Sequence, residues 1–217
     1  MLACVYPEHT TDELAGLNIG KRDALLFNLR EHLFGPRFIG VTQCPDCGQQ
    51  VEFDFFSKDM LPETENNKEG EILFEKEGYV IRFTLPTSMD LMAVQDAGTI
   101  ERMRNQLLTR CLSSITRDGI ETPPDNMPDY VVTAVIEKMA KTDSCADVHL
   151  ELSCPACTKQ WMALFDIVSF LWSEINGWAR QMLFEVHLLA RTYGWSEAEI
   201  LAMSPNRRQV YLEMAAS

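Results

Sequence analysis

Two short segments, Cys44-Pro45-Asp46-Cys47 and Cys154-Pro155-Ala156-Cys157, hold the residues whose types and spacing suit them for chemistry. Two intervening residues let both thiolates of a segment point at one ion while the backbone turns tightly around it. The N–H groups of that turn are then placed to hydrogen-bond the sulfurs and offset their charge. Two such knuckles set face to face supply the four tetrahedral sulfur ligands of a structural zinc site. The pattern therefore predicts that Cys44, Cys47, Cys154 and Cys157 bind one Zn2+ as the two halves of a split zinc ribbon. A lone Cys-x-x-Cys says little, but two of them, each with strand patterning on both sides, say a good deal. Cys154 lies 107 positions after Cys47. Closing so long a loop costs little more than closing a medium one, because the entropy grows only logarithmically. The intervening chain reads as an insertion whose ends zinc would tie together, contributing folding free energy directly.

Cys-Pro-x-Cys also occurs in glutaredoxin-like redox sites, where a helix N-terminus lowers the pKa of the first cysteine. Here Gly48 and an alternating strand follow Cys47, and a similar strand follows Cys157, so zinc is the better reading. Four thiolates would leave the ion no open position for water, hence no Lewis-acid chemistry. His149, shortly before Cys154, reads as a surface strand histidine rather than a fifth ligand. His9, His32 and His187 have no Ser, Cys or carboxylate neighbours that suggest a triad. No glycine-rich phosphate loop is present, and no acid–base pair stands out among the 32 Asp and Glu residues. The expectation is a protein that is not an enzyme. Three more of the seven cysteines, Cys4, Cys111 and Cys145, stand alone and read as small buried hydrophobes.

The elements that must position the cysteines follow from periodicity. Thr10-x-x-Glu13 is a capping box, and Leu25, Leu26, Leu29 and Leu33 recur at helical spacing up to a Gly35-Pro36 stop. From Phe38 the period changes to two, through the first knuckle and on to Val51, Phe53 and Phe55. A polar tract over 62–70 reads as a flexible loop. A β-hairpin follows, 71–75 and 79–85, around a turn at Glu77-Gly78. Pro86 ends it, and Thr87 or Ser88 caps a helix expected to run to about 115, interrupted near Gly98. Asp118-Gly119 and Pro123-Pro124 read as a turn-rich loop, and 130–141 as a shorter helix. Strand-like residues 148–152 and 161–165 flank the second knuckle. Asp166 then opens a long helix with an apolar stripe (Ile167, Phe170, Leu171, Ile175, Trp178, Met182, Val186, Leu189), ended by Gly194. Ser196-x-x-Glu199 caps a short helix, and Ser204-Pro205 starts a last one. Trp161, Trp172, Trp178 and Trp195 read mostly as helical core, although such an apolar arm is also suited to binding a partner.

The predicted fold class is α+β, mostly helical, with a split Cys4 zinc ribbon, a small β-hairpin, and a long C-terminal helix plus two short ones. It divides into an N-terminal helical segment (1–43), the first ribbon half (44–57), an inserted hairpin with helices (58–146), the second half (147–165) and a C-terminal helical segment (166–217).

Composition narrows the function. With 217 residues, 46% of them hydrophobic, the chain can bury a substantial core. A formal charge of −13 opposes binding to nucleic acid or to an anionic membrane surface. No apolar run approaches the ~20 residues needed to span a bilayer. The N-terminus lacks the look of a secretory signal, and Leu2-Ala3-Cys4 has no apolar segment before it, so a cytoplasmic location is expected.

Several segments together resemble the small baseplate proteins of contractile-tailed bacteriophages and related injection systems. They are Leu33-Phe34-Gly35, the split Cys-Pro-x-Cys pair, Leu85-Pro86-Thr87-Ser88, residues 185–190, Tyr193-Gly194-Trp195-Ser196-Glu197, residues 199–202, Arg207-Arg208 and Tyr211-Leu212. The resemblance extends to the hub-assembly proteins of T-even-type phages. It implies a non-enzymatic protein–protein interaction factor in building the baseplate hub, as chaperone or structural component. Its partners would be hub or spike proteins, met in the bacterial host cytoplasm and in the assembled particle. The alternative is a zinc-ribbon adaptor in transcription or nucleic-acid handling, which the charge opposes.

Overall fold

The computed structural model describes residues 1–60 and 70–215. The polar tract over 62–69 lies outside the described residues. The described chain forms two compact units, Met1–Ile167 and Val168–Ser217, and its fold is α+β with small antiparallel sheets and a long C-terminal helix, as the sequence predicts.

In the first unit, α1 (Leu2–Val5) and α2 (Thr11–Ala15) are short. The Thr10–Glu13 capping box that starts α2 is formed in both directions. Helix α3 (Ile19–Phe34) begins at Asn18, whose side chain accepts from the Lys21 N–H, and stops at Gly35. Its buried residues are Ile19, Gly20, Asp23, Leu26, Phe27, Leu29 and Arg30, an amphipathic helical face. Of the leucines expected at helical spacing, Leu26 and Leu29 are buried, whereas Leu33 is 55% exposed.

Strands β1 (Arg37–Gln43) and β2 (Gln50–Phe56) pair antiparallel and run into a short α4 (Ser57–Met60). The inserted sheet is larger than the predicted hairpin. It has four antiparallel strands in sequence order: β3 (Ile72–Lys76), β4 (Tyr79–Phe83), β5 (Leu112–Arg117) and β6 (Ile120–Glu121). The expected helix is in fact α5 (Ser88–Val94), a break around Gly98, and α6 (Ile100–Cys111). It ends at Cys111 rather than near 115. Ser113, Ser114, Ile115 and Thr116 are poor helix residues, and Ile115 is 3% exposed against β4. Asp118-Gly119 is a hairpin tip instead of a loop; both residues have positive φ (51° and 81°), as do Glu77 and Gly78 (49° and 83°). Helix α7 (Asp129–Thr142) covers the sheet with Val131 and Val135, fully buried among Tyr79, Ile81 and Phe83.

The Leu85-Pro86-Thr87-Ser88 segment ties this insertion to α3. The Ile19 N–H donates to the Pro86 carbonyl at 3.0 Å, Arg22 donates to Ser88 Oγ at 3.0 Å, and Thr87 caps α5 reciprocally with Asp90. The unit closes with β7 (His149–Ser153) and β8 (Gln160–Leu164), again antiparallel.

Helix α8 (Ile167–Tyr193) opens the second unit, followed by α9 (Glu197–Leu201) and α10 (Pro205–Ala215). The Ser196–Glu199 capping box is formed. Tyr193, Trp195 and Tyr211 form an aromatic trio with centroids 4.5 to 5.6 Å apart. Arg208 Nε donates to Glu185 at 2.9 Å and joins α10 to α8. Trp172 and Trp178, read as core, are 61% and 55% exposed. A single helix in this stretch has apolar residues on more of its circumference than its own unit covers.

Candidate metal centre

The two knuckles are built alike. Gln43 faces Gln50 at the end of one hairpin and Ser153 faces Gln160 at the end of the other. Between them lie loops 44–49 and 154–159. In each loop the N–H of the first cysteine donates to the last carbonyl, Cys44 to Gln49 and Cys154 to Lys159, both at 2.9 Å. The N–H after the second cysteine donates back to the first, Gly48 to Cys44 and Thr158 to Cys154, also at 2.9 Å. That return bond requires left-handed backbone at the donor: φ is 73° at Gly48 and 61° at Thr158. Glycine takes this conformation freely, whereas for β-branched threonine it is strained.

The fold brings all four predicted cysteines together. Their Sγ atoms lie within 4.8 Å of one another, with Cys44 to Cys157 at 3.6 Å and Cys47 to Cys154 at 3.7 Å. A disulfide needs about 2.05 Å, and none of the seven cysteines is in one. A tetrahedral ion with sulfur ligands at about 2.3 Å sets its sulfurs about 3.8 Å apart, so the observed pairs fit the edges of such a site. The first cysteine of each knuckle is buried (Cys44 2%, Cys154 1% exposed), with Val51 and Trp161 packed against them. Cys47 lies on the outside and Cys157 is half-buried.

Backbone N–H groups set the electrostatics. The Cys157 N–H, with that of Ala156 behind it, stabilises the Cys154 thiolate and brings its pKa down to about 7. The Gln49 and Lys159 N–H groups favour the Cys47 and Cys157 thiolates in the same way. There the loss of hydration and the adjoining thiols outweigh them, so Cys47 is raised and Cys157 is pushed up to about 12. Sulfurs this close share their ionisation, each thiolate disfavouring the next. A divalent cation held among them removes that conflict, and the donor set is suited to one.

What holds the halves face to face was not legible as a site. Phe165, just after β8, sits among Phe27 of α3 and Phe38, Phe53 and Phe55 of the first hairpin, with centroids 5.0 to 6.2 Å away. Gly40 makes room for this cluster: a Cβ there would lie 2.4 Å from Phe53 Cζ. Arg30, 3% exposed, lies 3.9 Å over the Phe38 ring and donates to the Gly35 and Arg37 carbonyls at 2.7 and 2.8 Å. The available signal was that Phe55 and Phe165 occupy the same place relative to their knuckles.

The other weighed residues stay apart. His149 is on the strand surface, its Nδ1 3.1 Å from the Asp147 carbonyl, and is not in the sulfur group. Cys111 is buried as expected, but Cys4 is exposed and Cys145 half-buried. No helix among the described residues is long and apolar enough to cross a membrane.

Fold and site define a split four-cysteine ribbon, carried by an α+β chain with an inserted sheet. A family profile described as T4 bacteriophage base plate protein matches residues 1–172, and the chain belongs to that family. The match covers the first unit and the opening of α8, so residues 185–212 of the resemblance lie beyond it. No curated protein and no solved structure matches the chain.

Proposed function

We propose that the four cysteines hold one structural Zn2+ and that the chain acts without catalysis, as a protein–protein interaction component of a contractile-tail baseplate hub. Membership of the base plate family over residues 1–172 carries this reading. The sulfur spacing supports the metal, and four soft thiolates in a tetrahedron favour zinc over harder divalent ions. The ion's task is mechanical: it joins hairpins far apart in sequence and fixes the base of the inserted sheet. Partners are other baseplate components, hub or spike proteins in particular, first met in the host cytoplasm. The charge of −13 suits a subunit that must stay clear of nucleic acid until it meets them.

The test is mass spectrometry of tagged chain drawn from producing cells, beside purified tails from the same culture. A fixed ratio to hub subunits in finished tails supports a structural component. Binding hub or spike subunits in lysate but absence from tails would make it an assembly chaperone instead. Finding neither would sink the hub assignment. Metal analysis of the purified chain, expected at one zinc per chain, tests the site separately.

A further inference from the structure

The two knuckles share one hydrogen-bonding plan but differ in the residue that closes it. In the first, Gly48 takes left-handed backbone at φ 73° and returns its N–H to the Cys44 carbonyl. In the second, Thr158 must do the same at φ 61° to reach the Cys154 carbonyl. Glycine has no Cβ to clash there. For any other L residue the clash is enough to shift a closed–open equilibrium about 5- to 30-fold, and a β-branched side chain is among the least suited. The Thr158 hydroxyl donates to the Cys157 carbonyl at 2.7 Å, a local bond that offsets part of the cost and leaves the Cβ clash in place.

The hairpins behind the knuckles differ in the same sense. Strands β1 and β2 are seven residues long, β7 and β8 only five. The base of the first hairpin is tied on both sides. Arg30 of α3 donates to the Gly35 and Arg37 carbonyls, and the Ser57 N–H donates to the Pro36 carbonyl at 3.2 Å. Phe38 and Phe55 also stack at 4.8 Å across its strands. The second hairpin is extended at its base by one backbone bond, from the Phe165 N–H to the Val148 carbonyl at 2.8 Å.

We infer, on the zinc assignment proposed above, that the knuckles take up the ion in a fixed order: Cys44 and Cys47 form a standing half-site, and Cys154 and Cys157 close onto it second. In the metal-free chain the first turn stays formed and the second opens, because only the sulfur–metal bonds of Cys154 and Cys157 offset the strain at Thr158. Access agrees with that order. Cys47 offers an arriving ion an exposed thiol on the first knuckle, whereas Cys154 is 1% exposed and Cys157 half-buried. The ribbon is then a joint whose second half is ordered by metal.

Two measurements on the full, reduced chain test this. The first is amide hydrogen exchange by NMR, with metal stripped by a chelator and then with Zn2+ restored. Zn2+ should slow exchange at the Thr158 N–H about 5 to 30 times more than at the Gly48 N–H. In Thr158→Gly that excess should vanish, and in Gly48→Thr position 48 should gain as much as 158. Equal gains in the wild type, or an excess that survives Thr158→Gly, overturn the order.

The second measurement compares half-sites by Co2+ titration, followed through sulfur-to-cobalt absorption, and needs no metal-free wild type. The chain with Cys154→Ser and Cys157→Ser should bind Co2+ about 5- to 30-fold more tightly than the chain with Cys44→Ser and Cys47→Ser. A site that is mostly open loses affinity in proportion to its closed fraction. Adding Thr158→Gly to the weaker chain should bring the two level. Equal affinities at the outset, or no response to Thr158→Gly, count against the order. A wild type that takes up neither Zn2+ nor Co2+ removes the metal assignment and this inference with it, whereas one ion per chain with equal half-sites removes the order alone.

Discussion

Replacing Cys47 by serine separates a metal ligand from an ordinary surface thiol. Cys47 lies on the outside of its knuckle, whereas Cys44 is 2% exposed. If the four thiols were only packed side chains, Cys47→Ser would belong with surface substitutions, worth about 0.5 kcal/mol or less. For a chain of this length that moves Tm by about 2 °C at most. If the sulfurs share an ion, burial stops mattering and each ligand's loss costs the linkage free energy of the ion. With free zinc at roughly 100 to 1,000 times its Kd, that linkage is about 2.7 to 4.1 kcal/mol, or about 5 to 16 °C. A serine hydroxyl does not restore it, since zinc in this set is held by soft thiolate. The assay is differential scanning calorimetry of wild type, Cys44→Ser and Cys47→Ser at one fixed trace zinc level, with and without a chelator. The expected outcome is that both variants fall by similar amounts and that the chelator lowers only the wild type strongly. A Cys47→Ser melt within about 2 °C of wild type, with Cys44→Ser well below it, would refute the shared ion.

Three more outcomes follow from the geometry. Phe165→Ala removes the ring that joins four others across the ribbon and should cost about 3 to 5 kcal/mol in chemical denaturation; a loss under about 1 kcal/mol would show that the metal alone holds the halves. Thr158→Gly relieves left-handed backbone at φ 61° and should stabilise by about 1 kcal/mol, while Gly48→Thr at the matching place should destabilise; a neutral Thr158→Gly melt would contradict the strain. Asp23, 8% exposed, has its pKa raised to about 6, mainly by burial, with Asp143 and Asp166 adding to it against the pull of Arg22. A carboxyl raised in the fold favours the folded state when protonated, so its contribution is full below about 4 and is lost as pH rises through about 6. Asp23→Asn should therefore raise Tm at pH 7.5 more than at pH 5, and an equal shift at both would show that the burial cost is not electrostatic.

The amino-acid sequence by itself determined the parts whose causes are local. The Cys-Pro-x-Cys turns, the capping boxes at Thr10 and Ser196, the stop at Gly35 and the Glu77-Gly78 turn depend on side chains that reach only a few residues along the chain. Each of these formed where it was read. The four-cysteine cluster was legible for the same reason, because two similar local turns imply a common ligand even across 107 residues. Tertiary structure alone decided how those turns meet. Phe165 reaches Phe27, Phe38, Phe53 and Phe55, and a phenylalanine in a strand carries no mark of which distant ring it will touch. Residues 112–121 became two strands because β4 offers an edge to pair with and α7 a surface to bury Ile115 against, and that preference outweighs the helical spacing leading up to them. Trp172 and Trp178 read as core because period alone cannot say whether an apolar stripe has anything beside it. Hydrogen bonds and turns are set by neighbours in sequence, but burial is set by neighbours in space, and only the folded chain contains those.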